Sequence, residues 1–306
     1  MDAFRMNEFQ LIQHYFNQAP LSFPHEYVIE GIGDDCAEIS LQKNHTLFVS
    51  IDTLIEDVHF PKNANPYDIA TRALCVSLSD LAAAGALPIG FTLAITLPTL
   101  DKEWLSQFSS GLAFIARKYN CPLIGGDTTK GDKLVITIQV HGQCPKGKGL
   151  KRYGALVGHK VYVSGVLGDG AGALEQVLKN PKDTSKLAQH FYLPYPQIEY
   201  GKHLLTVASS CLDVSDGLIQ DLNHICKASS VGIELNSGAI PLSNLLIDKY
   251  GEEAAAKFAL SGGDDYQLAY TASYCDRGIC IGEVVEGDEV LVDGKVFDHK
   301  GFQHFC

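Results

Sequence analysis

Aspartate recurs beside glycine, serine or threonine in six short clusters of this 306-residue chain: Gly33-Asp34-Asp35, Ser50-Ile51-Asp52-Thr53, Ser79-Asp80, Gly125-Gly126-Asp127-Thr128-Thr129, Asp213-Val214-Ser215-Asp216-Gly217 and Gly262-Gly263-Asp264-Asp265. Any one of them reads as an ordinary turn or helix cap, with Asp213 or Ser215 as the cap of a helix starting near Gly217. Together they point to shared chemistry. Short carboxylates, hydroxyls and glycine backbone make the hard, oxygen-rich surroundings that Mg²⁺ prefers. Because Mg²⁺ takes only about one or two protein carboxylates and fills its shell with water and phosphate oxygens, so many acids imply several ions bridged by a polyphosphate.

Two familiar phosphate signatures fail. Gly142-Gln143-Cys144-Pro145-Lys146-Gly147-Lys148-Gly149 imitates a P-loop, but Gly149 stands where Ser or Thr is needed and Pro145 removes a cradling N–H. Gly31-Ile32-Gly33 and the glycines from Gly165 to Gly172 miss the dinucleotide fingerprint. No HExxH occurs among the eleven histidines, and His59 is notable only for following Asp52, Glu56 and Asp57.

The elements that must position these acids follow from periodicity. Strands are predicted at Leu47–Ile51, Phe91–Leu97, Leu134–Val140, Lys160–Ser164, Ile279–Val284 and Glu289–Phe297, the last folded at Asp293-Gly294. Asn7 is expected to cap a helix with Phe9, Ile12 and Phe16 on one face. Lys102–Tyr119 carries Leu105, Phe108, Leu112, Ile115 and Ala116 at helical spacing, and Leu218, Leu222 and Ile225 form the stripe of a helix after Gly217. On a helix predicted over Pro66–Ala84, Asp80 shares an angular position with Ile69, Ala73 and Val76, an apolar face on which a carboxylate needs a partner such as a metal or a base.

Composition narrows the setting. Lys+Arg 24 against Asp+Glu 36 leaves a net charge of −12, which argues against nucleic acid and requires cations for any phosphorylated ligand. Nine cysteines without a CxxC read as reduced thiols of a cytoplasmic protein, not as a disulfide or zinc framework. Residues 1–8 carry Asp2, Arg5 and Glu8 without an apolar stretch, so no signal peptide is expected. The uncharged run Leu81–Leu100 is broken by Gly85, Pro88 and Gly90 and reads as a helix end and a strand, not a membrane span. Length favours two mixed α and β domains, cut at the basic, Gly-containing stretch from Pro145 to Arg152.

The ordered blocks Gly31-Ile32-Gly33-Asp34-Asp35-Cys36-Ala37, Ser50-Ile51-Asp52-Thr53-Leu54 with His59-Phe60, Leu78 to Ala86, Leu123 to Thr129, Asp213 to Leu218 and Ser261 to Tyr266 resemble the thiamine-monophosphate kinases, over about Phe9 to Phe302. These kinases share a superfamily with aminoimidazole ribonucleotide synthetase and selenophosphate synthetase. The resemblance implies an α+β, two-domain fold: residues 1–145 as a metal- and ATP-binding domain that dimerises, its sheets forming a barrel across the two-fold, and residues 146–306 as a C-terminal α/β sandwich closing the active-site cleft. It implies a homodimer that uses ATP as co-substrate to turn thiamine monophosphate into thiamine diphosphate.

Carried over by position, the resemblance puts Asp35, Ser50, Ile51, Asp52, Asp80, Asp127, Asp213 and Asp216 on magnesium, and Gly126, Asp127, Arg152 and Ser215 on ATP. It puts His59, Asp264 and Phe302 on thiamine phosphate. Asp35, Asp52, Asp127, Arg152 and Asp213 form the expected catalytic set. Three positions depart from the family pattern. Ile51 stands where relatives often have Thr, leaving only its carbonyl as a ligand; Asp264 replaces a Glu of some relatives; and Pro196-Gln197 replaces a common Pro-Arg pair. The implied transfer is direct and in line, because an acceptor phosphate with a second pKa of about 6 is already deprotonated at neutral pH. The rival readings are another ATP enzyme of the superfamily and a non-catalytic nucleotide or cation sensor.

Overall fold

The computed structural model describes residues 7–297, so the expectation for Phe302 lies outside the described residues. The chain divides into two compact units: one runs to Leu81, resumes at Leu87 and closes at Lys146, and the other takes Ala82–Ala86 and the described residues from Gly147 onward.

In the first unit Asn7 caps α1 (Glu8–Leu11) reciprocally, its Oδ1 accepting the Gln10 N–H at 2.8 Å while Gln10 Oε1 accepts the Asn7 N–H at 3.0 Å. The expected apolar face needs correction. The backbone widens into a π-helical turn over Ile12–Phe16, which rotates the stripe, so Leu11, Tyr15 and Phe16 are buried and Phe9 is exposed. A short ribbon of β1 (Val28–Glu30) and β2 (Glu38–Ile39) follows. Then come β3 (His45–Ile55), α2 (Pro66–Ala84), β4 (Leu87–Leu97), α3 (Lys102–Lys118), β5 (Leu123–Lys130) and β6 (Val135–Pro145). The four long strands form one sheet in the order β3-β6-β4-β5, with only β4 and β5 parallel.

Register assigns this sheet two unlike faces. Ser50, Asp52 and Leu54 share a face with the buried Val140, Ile138, Ile136, Phe91, Leu93 and Ile95, and a hydrogen bond from Ser50 to Asp80 places α2 over it. The other face carries Leu47, Val49, Ile51 and Thr53 in alternation with the first set, and three of these are exposed hydrophobics: Leu47 at 43%, Val49 at 49% and Ile51 at 57%. Threonine pairs continue it, Thr53 with Thr137 and Thr96 with Thr129, each at 2.9 Å.

Helix α3 buries its predicted stripe of Leu105, Phe108, Leu112, Ile115 and Ala116, and Asp101 caps it by accepting the N–H groups of Glu103 and Trp104. Helix α2 is buried almost all round; Ile69 and Ala73 are fully covered, while Val76 and Asp80 lie on a half-buried strip. Asp80 thus lies on the strip expected from its spacing, and that strip is half-buried at this end of the helix.

The second unit contains β7 (Lys160–Val163), α4 (Asp169–Lys179), α5 (Lys186–Tyr192), α6 (Ile198–Leu204), β8 (Ser210–Asp213), α7 (Leu218–Ser229), β9 (Gly232–Leu235), α8 (Asn244–Tyr250), α9 (Glu252–Ser261), β10 (Leu268–Ala272), β11 (Ile279–Val285), β12 (Val290–Val292) and β13 (Lys295–Val296). Seven strands pair in the order β13-β12-β9-β11-β7-β10-β8, antiparallel except β9 with β12. Val161, Val163, Leu212 and Ile281 of the sheet and Leu218, Leu222 and Ile225 of α7 belong to one buried cluster. The predicted turn at Asp293-Gly294 joins β12 to β13, both residues at positive φ. Among the described residues no helix is long and apolar enough to cross a membrane.

Gly111 of α3 lies so close to α2 that a Cβ there would stand 2.4 Å from the Tyr67 carbonyl oxygen. Gly111→Ala is therefore expected to destabilise the protein by about 1–3 kcal/mol, read as a lower urea midpoint at unchanged slope. An unchanged midpoint would show that the two helices separate freely.

Candidate functional site

The sharpest electrostatic feature lies where the edge strand β3 meets α2. Ser50 and Asp52, two residues apart, project to the same side of the strand, and α2 presents Ser77 and Asp80 to them. The Ser50 hydroxyl donates to Asp80 Oδ2 at close range. Asp52 Oδ2 is shielded from solvent and has no hydrogen-bond partner. Burial pushes the Asp52 carboxyl up to about 6, the Asp80 charge adds to the rise, and the Ser77 hydroxyl opposes it. Two acids and two hydroxyls facing one another with a buried oxygen unmatched suit a hard divalent cation.

A second group gathers at the opposite edge of the same sheet. The loop Gly31–Ala37 and strand β5 enclose a cavity of about 180 Å³ lined by Asp34, Asp35, Gly126 and Asp127, with Phe16, Leu93 and Ile124 as its apolar wall. Gly126 is required here, since a Cβ would stand 2.0 Å from the Leu93 carbonyl oxygen. The sequence places Asp52 and Asp127 at the ends of apolar runs, but both lie within strands. Asp52, Ile138, Leu93 and Gly126 form one row across four strands, and Thr53, Thr137, Ala94 and Asp127 the next. Within one chain, therefore, Asp127 projects from the face opposite to Asp52 and three strand spacings away, ~14 Å.

The second unit holds the third group. Val214–Gly217 and Gly262–Tyr266 run side by side, joined by Asp264 N–H to the Ser215 carbonyl at 2.9 Å and Tyr266 N–H to the Val214 carbonyl at 2.8 Å. This pairing brings Asp213, Ser215, Asp216 and Asp264 together. Gly263 permits it, because a Cβ there would lie 2.3 Å from the Ser215 carbonyl oxygen. Asp264 and Tyr266 both sit at positive φ, and the Tyr266 hydroxyl donates to Asp264 Oδ1 at 3.0 Å.

Two further residues hold these loops: Asp221, which the sequence reading missed, and Asp265, which it placed in a cluster without a role of its own. Asp221, in the first turn of α7, accepts the N–H groups of Ser215, Asp216 and Gly217 on one oxygen at 2.9, 3.0 and 3.1 Å. That replaces the expected cap: neither Asp213 nor Ser215 caps α7, and the helix starts from Gly217 without a side-chain cap. Asp265 is buried and accepts Gly168 N–H at 2.7 Å and Gly170 N–H at 3.0 Å, anchoring the second loop to the start of α4. Burial raises both carboxyls, Asp221 to about 7 and Asp265 to about 8, against the lowering by these N–H groups. The available signal for Asp221 was an acid in the first turn of a helix that follows a Ser-Asp-Gly loop.

The remaining site residues fall as follows. His59 Nδ1 accepts the Ile55 N–H at 3.0 Å, which puts the ring proton on Nε2. Arg152 is exposed; His224, whose pKa is lowered by burial and then by Arg152, also senses Asp216. Ile51 turns its side chain to the exposed face, away from Asp52. Gln197, standing for the family's Arg, donates to Gln267 Oε1 at 3.2 Å.

Comparison with known proteins identifies the relatives of this chain. Residues 33–144 match the family model of AIR synthase related protein, N-terminal domain. A thiamine-monophosphate kinase of Haemophilus influenzae is 42% identical over 98% of this chain and 98% of its own length. The crystal structure of thiamine-monophosphate kinase from Stenotrophomonas maltophilia K279a is similar with a TM-score of 0.83 at 36% identity, covering 88% of this chain and 92% of that one. The structure of AaThiL complexed with AMPPCP and TMP is similar with a TM-score of 0.81 at 33% identity, covering 100% of this chain and 99% of the other.

The raised Asp52 carboxyl carries a sign. Its folded value of about 6 lies above the unfolded 3.8, so the metal-free protein has its full contribution below pH 3.8 and loses it as pH rises through 6. Asp52→Asn removes that loss: at pH 7 and without divalent ions the variant is expected to be more stable than wild type by about 1–2 kcal/mol, a difference that vanishes near pH 4. Denaturation at the two pH values isolates this group from Asp221 and Asp265. A variant less stable than wild type at pH 7 would contradict an uncompensated buried charge.

Proposed function

Because the chain belongs to the thiamine-monophosphate kinase family, we propose that it moves the γ-phosphoryl group of ATP directly onto the phosphate of thiamine monophosphate, releasing ADP and thiamine diphosphate. The observation that carries the reading is the pair Asp52 and Asp80, a half-buried, mutually repelling couple in a chain alike over 98% of its length to enzymes of that name.

Both substrates are anions, so the barrier is the approach of a phosphate oxygen to a charged phosphoryl group. The donors present fit magnesium, and we assign Asp35, Ser50, Ile51 through its carbonyl, Asp52, Asp80, Asp127, Asp213 and Asp216 to hold several such ions. Bound there, magnesium supplies the positive charge that draws the two phosphates together. Ser50 fixes the Asp80 carboxylate, and Asp221 fixes the loop of Ser215 and Asp216, so these oxygens are in place before substrate arrives. Arg152 reaches the nucleotide as its main cationic side chain, and Gly126 and Ser215 contact it.

On the acceptor side, His59 offers its Nε2 proton to the phosphate, Asp264 faces the thiazolium cation and Phe302 stacks on the thiamine. No general base is needed, since the attacking phosphate is already ionised at neutral pH. Residues 1–145 form the metal-binding and dimerising domain, and residues 146–306 contribute the loops of Asp213 and Asp264. We place the chain in the cytoplasm, where its free cysteines stay reduced.

The homodimer is the partner that best suits the open face of Leu47, Val49 and Ile51. Closing the four-stranded sheet on its copy into a barrel, β3 against the copy's β5, covers that face and removes both edges. It also supplies the acids of one β3 edge with the acids of the other chain's β5 edge, which a single chain keeps ~14 Å apart.

Two measurements test this. Incubation with ATP, Mg²⁺ and thiamine monophosphate should give thiamine diphosphate on separation of the thiamine products, and nucleotide binding without that product would refute the kinase reading. Asp52→Asn and Asp127→Asn should each lose at least about a thousandfold in kcat, as expected for groups acting on the transition state. Refolded as a mixture, the two inactive variants should regain a substantial part of wild-type turnover, because half of the sites in a mixed dimer are intact. A mixture as inactive as its parts would place both acids of a site in the same chain.

A further inference from the structure

Away from the aspartate groups, the second unit holds a cluster with different chemistry. A ring nitrogen of His203, Cys275 Sγ and a carboxylate oxygen of Asp276 all lie within 4.8 Å of one another, the one such trio of metal-ligating side chains among the described residues. His203 is in the last turn of α6, and Cys275 and Asp276 are in the turn between β10 and β11.

Two further observations point to a ligand. His203 Nε2 is shielded from solvent and has no hydrogen-bond partner, a costly state for a ring nitrogen. Cys275 is buried, its sulfur accepting from the Tyr270 hydroxyl at 3.2 Å, and that hydroxyl lies 2.9 Å from the one on Tyr200. The Cys275 N–H donates to the Tyr162 hydroxyl at 3.2 Å, which fixes the residue from its other side. A sulfur held as an acceptor by an outer partner is prepared to act as a thiolate ligand.

From this geometry we propose that His203, Cys275 and Asp276 bind a zinc-class divalent ion, with solvent as fourth ligand. Imidazole nitrogen and thiolate select such an ion over magnesium, which the hard oxygen donors of Asp52 and Asp80 favour. The thiolate and carboxylate charges balance the ion, and the thiol proton leaves to solvent on binding. A tetrahedral shell sets its ligand atoms about 3.3–3.8 Å apart, so the exposed Asp276 side chain swings inward to close it. Asp264 precedes β10 and Cys275 follows it, so the five-residue strand separates the site from the acceptor loop by ~17 Å. The ion is a staple between α6 and the β10–β11 turn, not a participant in phosphoryl transfer.

Cobalt(II) is the probe. In a background with Cys36, Cys280 and Cys306 changed to serine, one equivalent of Co²⁺ added to chelator-treated protein should produce a thiolate-to-cobalt charge-transfer band with tetrahedral visible bands, and Zn²⁺ should displace them. His203→Gln and Cys275→Ser should each weaken binding by more than about a hundredfold, beyond the effect of losing an outer partner. Zn²⁺ should raise Tm in the parent and leave it unmoved in His203→Gln, with folding of both variants verified by circular dichroism. Asp52→Asn should keep the cobalt spectrum. Absence of the thiolate band in the folded parent, its survival in Cys275→Ser, or an equal rise in Tm in His203→Gln would overturn the site. Should Cys275→Ser fail to fold, His203→Gln decides.

Discussion

Like charges held close together in a partly dry place are the constraint around which the first unit is organised. Asp52 and Asp80 repel each other, one oxygen of Asp52 is sealed from water, and the hydroxyls of Ser50 and Ser77 face the pair. Ordinary core packing would replace such residues with apolar ones of similar volume. That β3 and α2 instead carry carboxylates to their contact fits the multivalent cation proposed for this site, and binding of such an ion would relieve the repulsion.

The second unit solves a related problem by other means. Its acids lie on loops, and loops hold position only if their backbone groups are satisfied. Asp221 gathers three N–H groups of one loop and Asp265 two at the start of α4, so these two carboxylates fix backbone, a task apart from the one proposed for Asp213, Asp216 and Asp264. The positive φ of Asp264 and Tyr266 records the strain of bringing the second loop against the first.

How far the sequence disclosed this varied with the kind of physics involved. Elements with a strong local signal were readable: the bounds of α2, the stripe of α3 and the Asp293-Gly294 turn follow from local pattern and turn chemistry. β5 did not register as a strand because Gly-Gly-Asp is poor strand sequence and is held extended by pairing with β4. β8 and β10 are buried at every position, so they lack the alternation that marks a strand. The acid clusters were visible as clusters, but their division into three groups was not. That depends on register, where a shift of one residue puts Asp127 on the opposite face from Gly126 and Asp52. The anchoring roles of Asp221 and Asp265 stayed hidden because their partners are main-chain groups, which no side-chain pattern reports.

Strand β3 runs for eleven residues at the edge of its sheet, paired among the described strands with β6 alone, with three aliphatic side chains on its bare face. To any other extended chain in the cell this rim is an invitation to add a strand. For the homodimer proposed above, a newly made polypeptide is thus in a race between meeting its own kind correctly and being captured incorrectly. Both outcomes are bimolecular, so raising expression speeds each of them; what favours the productive one is the rate at which the rim itself forms, and slower synthesis or cooler growth acts on that balance without altering a single native contact.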